Sequence, residues 1–436
     1  MTKKICVIGL GYIGFPTSLV FARAGFEVIG VDVSERVVSA LNAGEVHIEE
    51  NGLEEIFQDV RTNYAFKAQR HPEPADTYII AVPTPVNADH TANVDYVVSA
   101  TEAVLPYLRK GNTVIVESTI PPRTIDDVVA PVLTKAGWRV GEEIYLAHCP
   151  ERVLPGRIFQ ELVENNRIVG GYNPQSAEKA AEVYRAFVKG EIILTSATSA
   201  EMAKLMENTF RDVNIALANE LAKVSASIGV DALEVIGLAN KHPRVNLHTP
   251  GPGVGGHCIA VDPYFIIEKA PELTPLMTAS RAINNSMPAF VVEQTGKITP
   301  SHAGKRVAVF GITYKGNVDD IRESPALEVV HMLGENGFDV RVHDPHVLAE
   351  LAPFPMFTAE EAVADAECLL ILTDHNEFKA LDLSLLSRMK SPVILDTKNC
   401  VESSHVPQSA GKLYNYGNLH ELSRVDTVAV PVSQLA

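Results

Sequence analysis

Paired cysteines are missing from this sequence. Its five cysteines, Cys6, Cys149, Cys258, Cys368 and Cys400, are scattered and odd in number, with no C-x-x-C pair. That argues against a disulfide framework or a cysteine zinc site, and for free thiols in a reducing compartment, the cytoplasm. The histidines lack H-E-x-x-H or similar spacing, so no metal is expected. Positive charge is also scarce: 37 Lys and Arg stand against 54 Asp and Glu, a formal net charge of −17. A general nucleic-acid or anionic-membrane surface is therefore not expected, and an anionic ligand would have to be met by a local group of cations. Uninterrupted apolar runs are lacking too. Residues 5–22, behind Lys3 and Lys4, are uncharged but broken by Gly9, Gly11, Gly14 and Pro16. They read as strand, turn and helix rather than as a leader or a membrane anchor. No segment is of low complexity, and the residues after Val425 read as a loosely held tail.

What is present is ordinary globular composition, 46% hydrophobic and 21% charged over 436 residues, enough for two or three domains. Residues 4–10 (KICVIGL) read as a buried parallel strand, and Gly9-x-Gly11-Tyr12-Ile13-Gly14 opens a helix. A second strand at 27–33 ends near Asp32. Glycines for the turn, for close approach of a pyrophosphate and for helix packing, followed by an acid about 20 residues on, form a dinucleotide fingerprint. Asp32 would accept from ribose hydroxyls and repel a 2′-phosphate, which favours NAD over NADP. Strands at 77–82, 113–117 and 144–148 alternate with helices at 94–108 and 122–136. Ligands of such sheets bind at the carboxyl ends of the strands, where Thr84, Thr119 and Glu151 fall; a threonine there is otherwise a plain turn residue.

From residue 199 the pattern changes to helices with 3.6-residue periodicity, at 199–228, 231–240 and 275–293. Lys204, Asn208 and Arg211 share one helical face. Such a stripe is usually solvated, but the neighbouring Leu205, Phe210, Val213, Ile215 and Leu217 predict a largely buried helix, in which cations need partners. Residues 251–263 (GPGVGGHCIAVDP) carry four glycines and Pro252 ahead of Cys258. No regular element is expected there, but a fixed loop with bare N–H groups and a thiol placed for chemistry. A buried cysteine after a turn is the commoner use of that residue; a packing residue, however, needs no glycine-rich cradle. Strands at 305–311, 339–343, 368–373 and 393–396 restart α/β alternation. There Gly311 to Gly316 repeats the spacing of Gly9 to Gly14, with Thr313 in place of the middle glycine. This reads as a second Rossmann-like half that has lost dinucleotide binding. The fold class is α/β, two Rossmann-like doubly wound domains (1–197 and 299–436) joined by a central helical region (198–298) that carries the cysteine loop.

With EMAKLMENTFRDVNIALANE, GPGVGGHCIAVDP and GITYKGNVDDIRESPA added to the fingerprint, the chain resembles the UDP-glucose/GDP-mannose dehydrogenase family over essentially its whole length. His47-Ile48, residues 150–156, 240–246 and 258–263 are similar to the branch acting on UDP-N-acetyl-D-mannosamine. The UDP-glucose branch has a second glutamate where Pro155 stands, so that carboxylate's role does not transfer. The resemblance implies two NAD-dependent oxidations of a sugar C6 alcohol, with the Cys258 thiolate holding the aldehyde as a thiohemiacetal and then the acid as a thioester. It implies Lys204 as proton acceptor or donor, Lys204 and Asn208 as oxyanion stabilisers, and Glu151 and Asp262 as positioners of the hydrolytic water. It implies substrate contacts at Arg152, Val153, Lys204, Asn208, Arg211, His242, Arg244, Gly255, Tyr314 and Lys315, with Arg322 reaching NAD. A UDP-sugar substrate and a homodimer follow from the same resemblance.

Two other readings compete. A single-step β-hydroxyacid dehydrogenase would share the first domain and a helix-borne lysine but would need neither Cys258 nor the last domain. An inactive NAD or nucleotide-sugar sensor predicts loss of Cys258, Lys204 or Asn208, and all three are present.

Overall fold

The computed structural model describes residues 3–154, 156–299, 304–407 and 409–424; Pro155 and the tail after Val425 lie outside them. The chain forms two compact units, residues 1–207 with 264–271, and residues 208–263 with 272–436.

The first unit is built on an eight-stranded sheet: β1 (Lys4–Ile8), β2 (Glu27–Val31), β3 (Phe66–Gln69), β4 (Thr77–Ile80), β5 (Thr113–Val116), β6 (Tyr145–His148), β7 (Arg167–Gly171) and β8 (Ile192–Ser196). Their order is β3-β2-β1-β4-β5-β6-β7-β8. All neighbours are parallel except β6 and β7. The inner strands are continuous apolar runs because helices cover both faces: β4 and β5 are buried at every position. Strand order reverses between β1 and β4, and a crevice opens at the carboxyl ends of such a pair. Residues 5–22 fold as β1, a turn and the helix Gly14–Arg23.

The second unit carries a parallel five-stranded sheet: β9 (Arg306–Phe310), β10 (Asp339–His343), β11 (Cys368–Ile371), β12 (Val393–Asp396) and β13 (Lys412–Asn415), in the order β10-β9-β11-β12-β13. Val307, Val309, Leu370 and Leu395 form its core with Val329, Val330 and Leu333 of the helix Pro325–Glu335.

Proline redraws two of the expected helices. The one expected at 275–293 is two helices, Pro275–Asn285 and Met287–Ile298, because Pro288 has no N–H to continue the ladder and starts a new first turn. The one expected at 122–136 winds as a π turn, Ile125–Val129, before Ala130–Lys135, where Pro131 likewise cannot donate. The long helix Ala197–Ile228 is present, but it is not largely buried. Met206, Phe210, Leu217, Val224 and Ile228 are exposed, Phe210 at 62%. Apolar residues on several faces had suggested burial; the structure leaves one stripe of them uncovered. Among the described residues no helix is long and apolar enough to cross a membrane.

Candidate active site

The turn after β1 fits a dinucleotide. Gly9 takes φ +93°, and a side chain there would collide with the Ala81 carbonyl. A side chain at Gly14 would meet the Gly9 carbonyl, whereas one at Gly11 would meet nothing, so the chain leaves space over the middle glycine. Ile13 precedes the helix, and Tyr12 is exposed beside it. Asp32, half-buried just beyond β2, accepts the Leu10 N–H on Oδ2 (3.0 Å) and the Ser34 N–H on Oδ1 (2.8 Å). After β4, the Thr84 hydroxyl oxygen is buried without a hydrogen-bond partner. Thr119 is half-buried next to Ser118, whose hydroxyl donates to the Val82 carbonyl (2.7 Å). An open middle glycine and an acid at the end of the second strand fit a dinucleotide at these strand ends.

A second loop of the same unit carries Glu151. Glu50 accepts the N–H groups of Gly156 (2.7 Å) and Ile158 (3.1 Å), and the Asn51 amide donates to the Gly156 carbonyl (2.9 Å). Three residues before Glu50, His47 Nε2 donates to the Leu10 carbonyl (2.7 Å), and burial lowers its pKa. The loops around His47 and Gly156, separate in sequence, are thus hydrogen-bonded to one another, and His47 ties the first of them to the dinucleotide turn. Arg152 is held by Glu207 and by the Asn166 carbonyl (3.1 Å). Val153 packs on Val20, Ile158 and Leu162. Lys204 is buried, 7% exposed, on the long helix.

Glu151 itself is fixed at both oxygens. Oε1 accepts the Arg152 N–H (2.6 Å) and Oε2 accepts from the Arg167 guanidinium (3.0 Å). Arg167 was not singled out from the sequence, nor were its other partners Glu117, Tyr184 and Cys149. The available signal was a charge at the edge of each apolar strand, β5 and β7.

In the second unit Cys258 lies half-exposed in the glycine loop. Its carbonyl accepts the N–H groups of Val261 (3.1 Å) and Asp262 (2.9 Å). Asp262, almost fully buried, accepts from the Asn208 amide (2.6 Å). The glycines act partly as packing devices, which the sequence reading did not anticipate. A side chain at Gly255 would strike the Glu323 carbonyl and Pro325, and one at Gly256 the ring of Tyr314. The loop is also less bare than expected, since the Gly251 N–H donates to Asn219 Oδ1 (2.9 Å). Arg322 is clasped by Asp320, with three contacts of 2.6 to 3.1 Å, and lies 3.4 Å from His257 Nδ1. Tyr314, Arg322, Gly255 and Cys258 therefore gather at one loop cluster, with Lys315 half-buried beside Tyr314. Arg211 is exposed on its helix, and His242 and Arg244 are exposed in the turn after the helix Ala232–Ala239, where the Arg244 N–H donates to His242 Nδ1 (3.3 Å).

The other four thiols are poor nucleophiles. Burial raises Cys6 and Cys368 to about 12 and Cys149 to about 11, and burial with Asp396 raises Cys400 to about 12. Among the described residues, His346, His375 and Glu377 offer three metal-ligand atoms within 4.8 Å of one another. Both His375 nitrogens are already engaged, by the Asn317 N–H (2.9 Å) and by Asp344 (3.2 Å).

Family models match the chain in three consecutive parts. Residues 3–188 match the NAD binding domain of the UDP-glucose/GDP-mannose dehydrogenase family, 198–286 its central domain and 308–403 its UDP binding domain. The chain belongs to that family. As a UDP-glucose/GDP-mannose family dehydrogenase it is an NAD-dependent oxidoreductase of nucleotide sugars. A UDP-N-acetyl-D-mannosamine dehydrogenase of Methanocaldococcus jannaschii is 48% identical to this family member, over 95% of this chain and 97% of its own. An NDP-N-acetyl-D-galactosaminuronic acid dehydrogenase of Ralstonia solanacearum is 42% identical, over 91% and 96%. The solved UDP-N-acetyl-mannosamine dehydrogenase of Staphylococcus aureus is 52% identical and superposes with a TM-score of 0.89, over 96% of this chain and 100% of its own.

Proposed function

We propose that this dehydrogenase oxidises the C6 alcohol of UDP-N-acetyl-D-mannosamine to the carboxylate through a covalent Cys258 adduct. The observation that supports it most is the half-exposed Cys258, four residues from a buried Asp262 that is hydrogen-bonded to Asn208. Bound NAD supplies the hydride acceptor, once in each of the two oxidations. Lys204 takes the hydroxyl proton in the first, and Lys204 with Asn208 stabilises the oxyanion. Cys258 then adds to the aldehyde, which keeps it in place for the second oxidation and leaves a thioester. Glu151 and Asp262 direct the water that releases the acid. Gly9, Gly11, Tyr12, Ile13, Gly14, Asp32, Thr84 and Thr119 hold NAD, with Arg322. Arg152, Val153, Arg211, His242, Arg244, Gly255, Tyr314 and Lys315 meet the UDP-sugar, whose diphosphate the arginines suit. In this reading residues 1–197 carry the cofactor, 198–298 the catalytic loop and 299–436 the nucleotide sugar.

The sugar is tested by comparing UDP-N-acetyl-D-mannosamine, UDP-N-acetylglucosamine, UDP-glucose and GDP-mannose. The first should give the highest kcat/KM and two NADH per sugar, with no aldehyde released. A pocket that discriminates by shape alone separates such sugars by roughly 10- to 200-fold, so weak turnover of UDP-N-acetylglucosamine is compatible. Equal or better turnover of UDP-glucose or GDP-mannose overturns the substrate, and one NADH with free aldehyde overturns the covalent route. In Cys258→Ser both ligands should still bind while steady turnover collapses.

A homodimer in the cytoplasm completes the reading. The exposed apolar stripe of Met206, Phe210, Leu217, Val224 and Ile228 is the surface it would use. Phe210→Lys should then yield monomers in sedimentation, and an unchanged dimer would rule that surface out.

A further inference from the structure

Behind Glu151, on the side away from its bond to the Arg152 N–H, lies a closed set of buried polar groups that the proposed chemistry does not use. One terminal nitrogen of Arg167, from β7, bridges Glu151 Oε2 and Glu117 Oε1 at 3.0 Å each. Its Nε lies 3.2 Å from Cys149 Sγ, and its guanidinium stacks over the Tyr184 ring, 4.5 Å from the centroid. The Tyr184 hydroxyl donates to the same Glu117 oxygen at 2.6 Å. The side chains of Arg167, Glu117 and Glu151 are 6%, 0% and 9% exposed.

For one guanidinium and two carboxylates buried this deeply, the desolvation cost can exceed the Coulombic gain, so stability alone is a weak account of the set. Well-packed apolar replacements of such sets are often neutral or stabilising. The four anchoring residues come from four places in the sheet unit, the residue after β5, the residue after β6, the start of β7 and the helix Pro174–Tyr184. The charged group they hold that is least buried is the Glu151 carboxylate, its side chain 9% exposed. Glu117 Oε2 has no partner, and burial together with the nearby Glu151 charge holds the Glu117 carboxyl above the usual carboxylate range. A protonated Glu117 still accepts from Arg167 and Tyr184 through Oε1, and it leaves the guanidinium charge to Glu151.

We propose that Arg167, anchored by Glu117 and Tyr184, is the positioning residue that holds the Glu151 carboxylate in one rotamer for thioester hydrolysis. In that step water adds to the Cys258 thioester carbonyl and gives a proton to Glu151. The C–S bond then breaks, the cysteine leaves as thiolate, and the sugar acid is released. A carboxylate that swings, or that carries a proton, cannot take the water proton in line with the carbonyl.

The proposal rests on the assignment of Glu151 to hydrolysis, so Glu151→Gln is the reference. With the sugar that the unmodified enzyme turns over best, NADH release is followed in a rapid-mixing experiment, and acid-quenched protein is weighed for the Cys258 adduct. Glu151→Gln should release two NADH per site in a burst and accumulate the thioester. Arg167→Lys should show the same burst and KM, accumulate the same adduct and lose hydrolysis by about 10- to 100-fold, the cost of a misplacement of about 1 Å. Glu117→Ala should do so more weakly, and Glu117→Gln, whose amide oxygen can accept the same two bonds, should recover most of that loss. If Arg167→Lys is too unstable to assay, Glu117→Ala against Glu117→Gln decides. A burst slowed in proportion to steady turnover, or a surviving fraction that hydrolyses at the normal rate, makes the network structural only and overturns the proposal. Absence of the adduct in Glu151→Gln removes the Glu151 assignment instead.

Discussion

The turn after β1 and the turn after β9 are built on the same hydrogen bonds and differ in what fills the space beside them. In the first, the Gly9 N–H reaches the Val31 carbonyl (2.8 Å), and Asp32 accepts from Leu10 (3.0 Å) and Ser34 (2.8 Å). In the second, the Gly311 N–H reaches the His343 carbonyl (2.9 Å), and Asp344 accepts from Ile312 (2.8 Å) and His346 (2.9 Å). Asp32 stays half-buried, however, beside an open Gly11. Asp344 is buried under His375 (3.2 Å), and Thr313, where the middle glycine would be, is buried with its hydroxyl on the Lys315 carbonyl (2.8 Å). The acid at the end of the second strand is thus a device of the turn in both halves. It is open to a ligand only where the neighbouring side chains leave it so.

Asp344→Ala is the severest test of that contrast. It removes the acceptor from His375 and from the Ile312 N–H inside the protein, and it should cost about 2–5 kcal/mol of stability in denaturant unfolding, about 1–3 for each buried group left unpaired. NAD affinity, titrated on the folded fraction, should not change. Asp32→Ala should do the reverse. Its turn bonds are partly wet, so stability falls less, while NAD binding weakens by roughly 10- to 100-fold, the value of one charge-assisted hydrogen bond. Discrimination against NADP should lessen with it. Equal losses of NAD binding in both variants would erase the distinction between the halves.

A smaller effect separates the buried histidines of the two units. His375 has its carboxylate, but His148 at the end of β6 donates Nδ1 to the Val116 carbonyl (2.8 Å) and keeps a buried Nε2 without a partner. Burial lowers its pKa from 6.5 to about 3. The unfolded chain takes up this proton near 6.5, whereas the folded chain does so only near 3. The contribution to stability is therefore complete above that window and lost as pH falls through it. Relative to His148→Leu, the unmodified protein should lose up to about 1.4 kcal/mol per pH unit below 6.5. Parallel pH profiles for the two proteins would show instead that His148 titrates alike in the folded and unfolded states.

Local signals carried much of this into the sequence. A strand, three spaced glycines and an acid on the next strand need only short-range patterning, so the β1–β2 unit and its echo at β9–β10 were legible. So was the irregular backbone around Cys258. What stayed hidden depends on register. Arg167 lies 16 residues from Glu151 and 50 from Glu117, and only the pairing of β6 with both β5 and β7 brings the three together. The exposure of the long helix was hidden for another reason. Leu205 and Phe210 are equally apolar, and composition does not say which of them faces its own chain.

The bonds from Glu50 and Asn51 to Gly156 and Ile158 also bear on inheritance. The two loops are encoded about a hundred residues apart, yet each is shaped by the other. A recombination between codons 52 and 150 with a parent that lacks a carboxylate at position 50 would leave the Gly156 and Ile158 N–H groups without their acceptor. Descent should therefore pass the pair on as one character, and a chimaeric gene joined within that interval should fold poorly unless both loops come from the same parent.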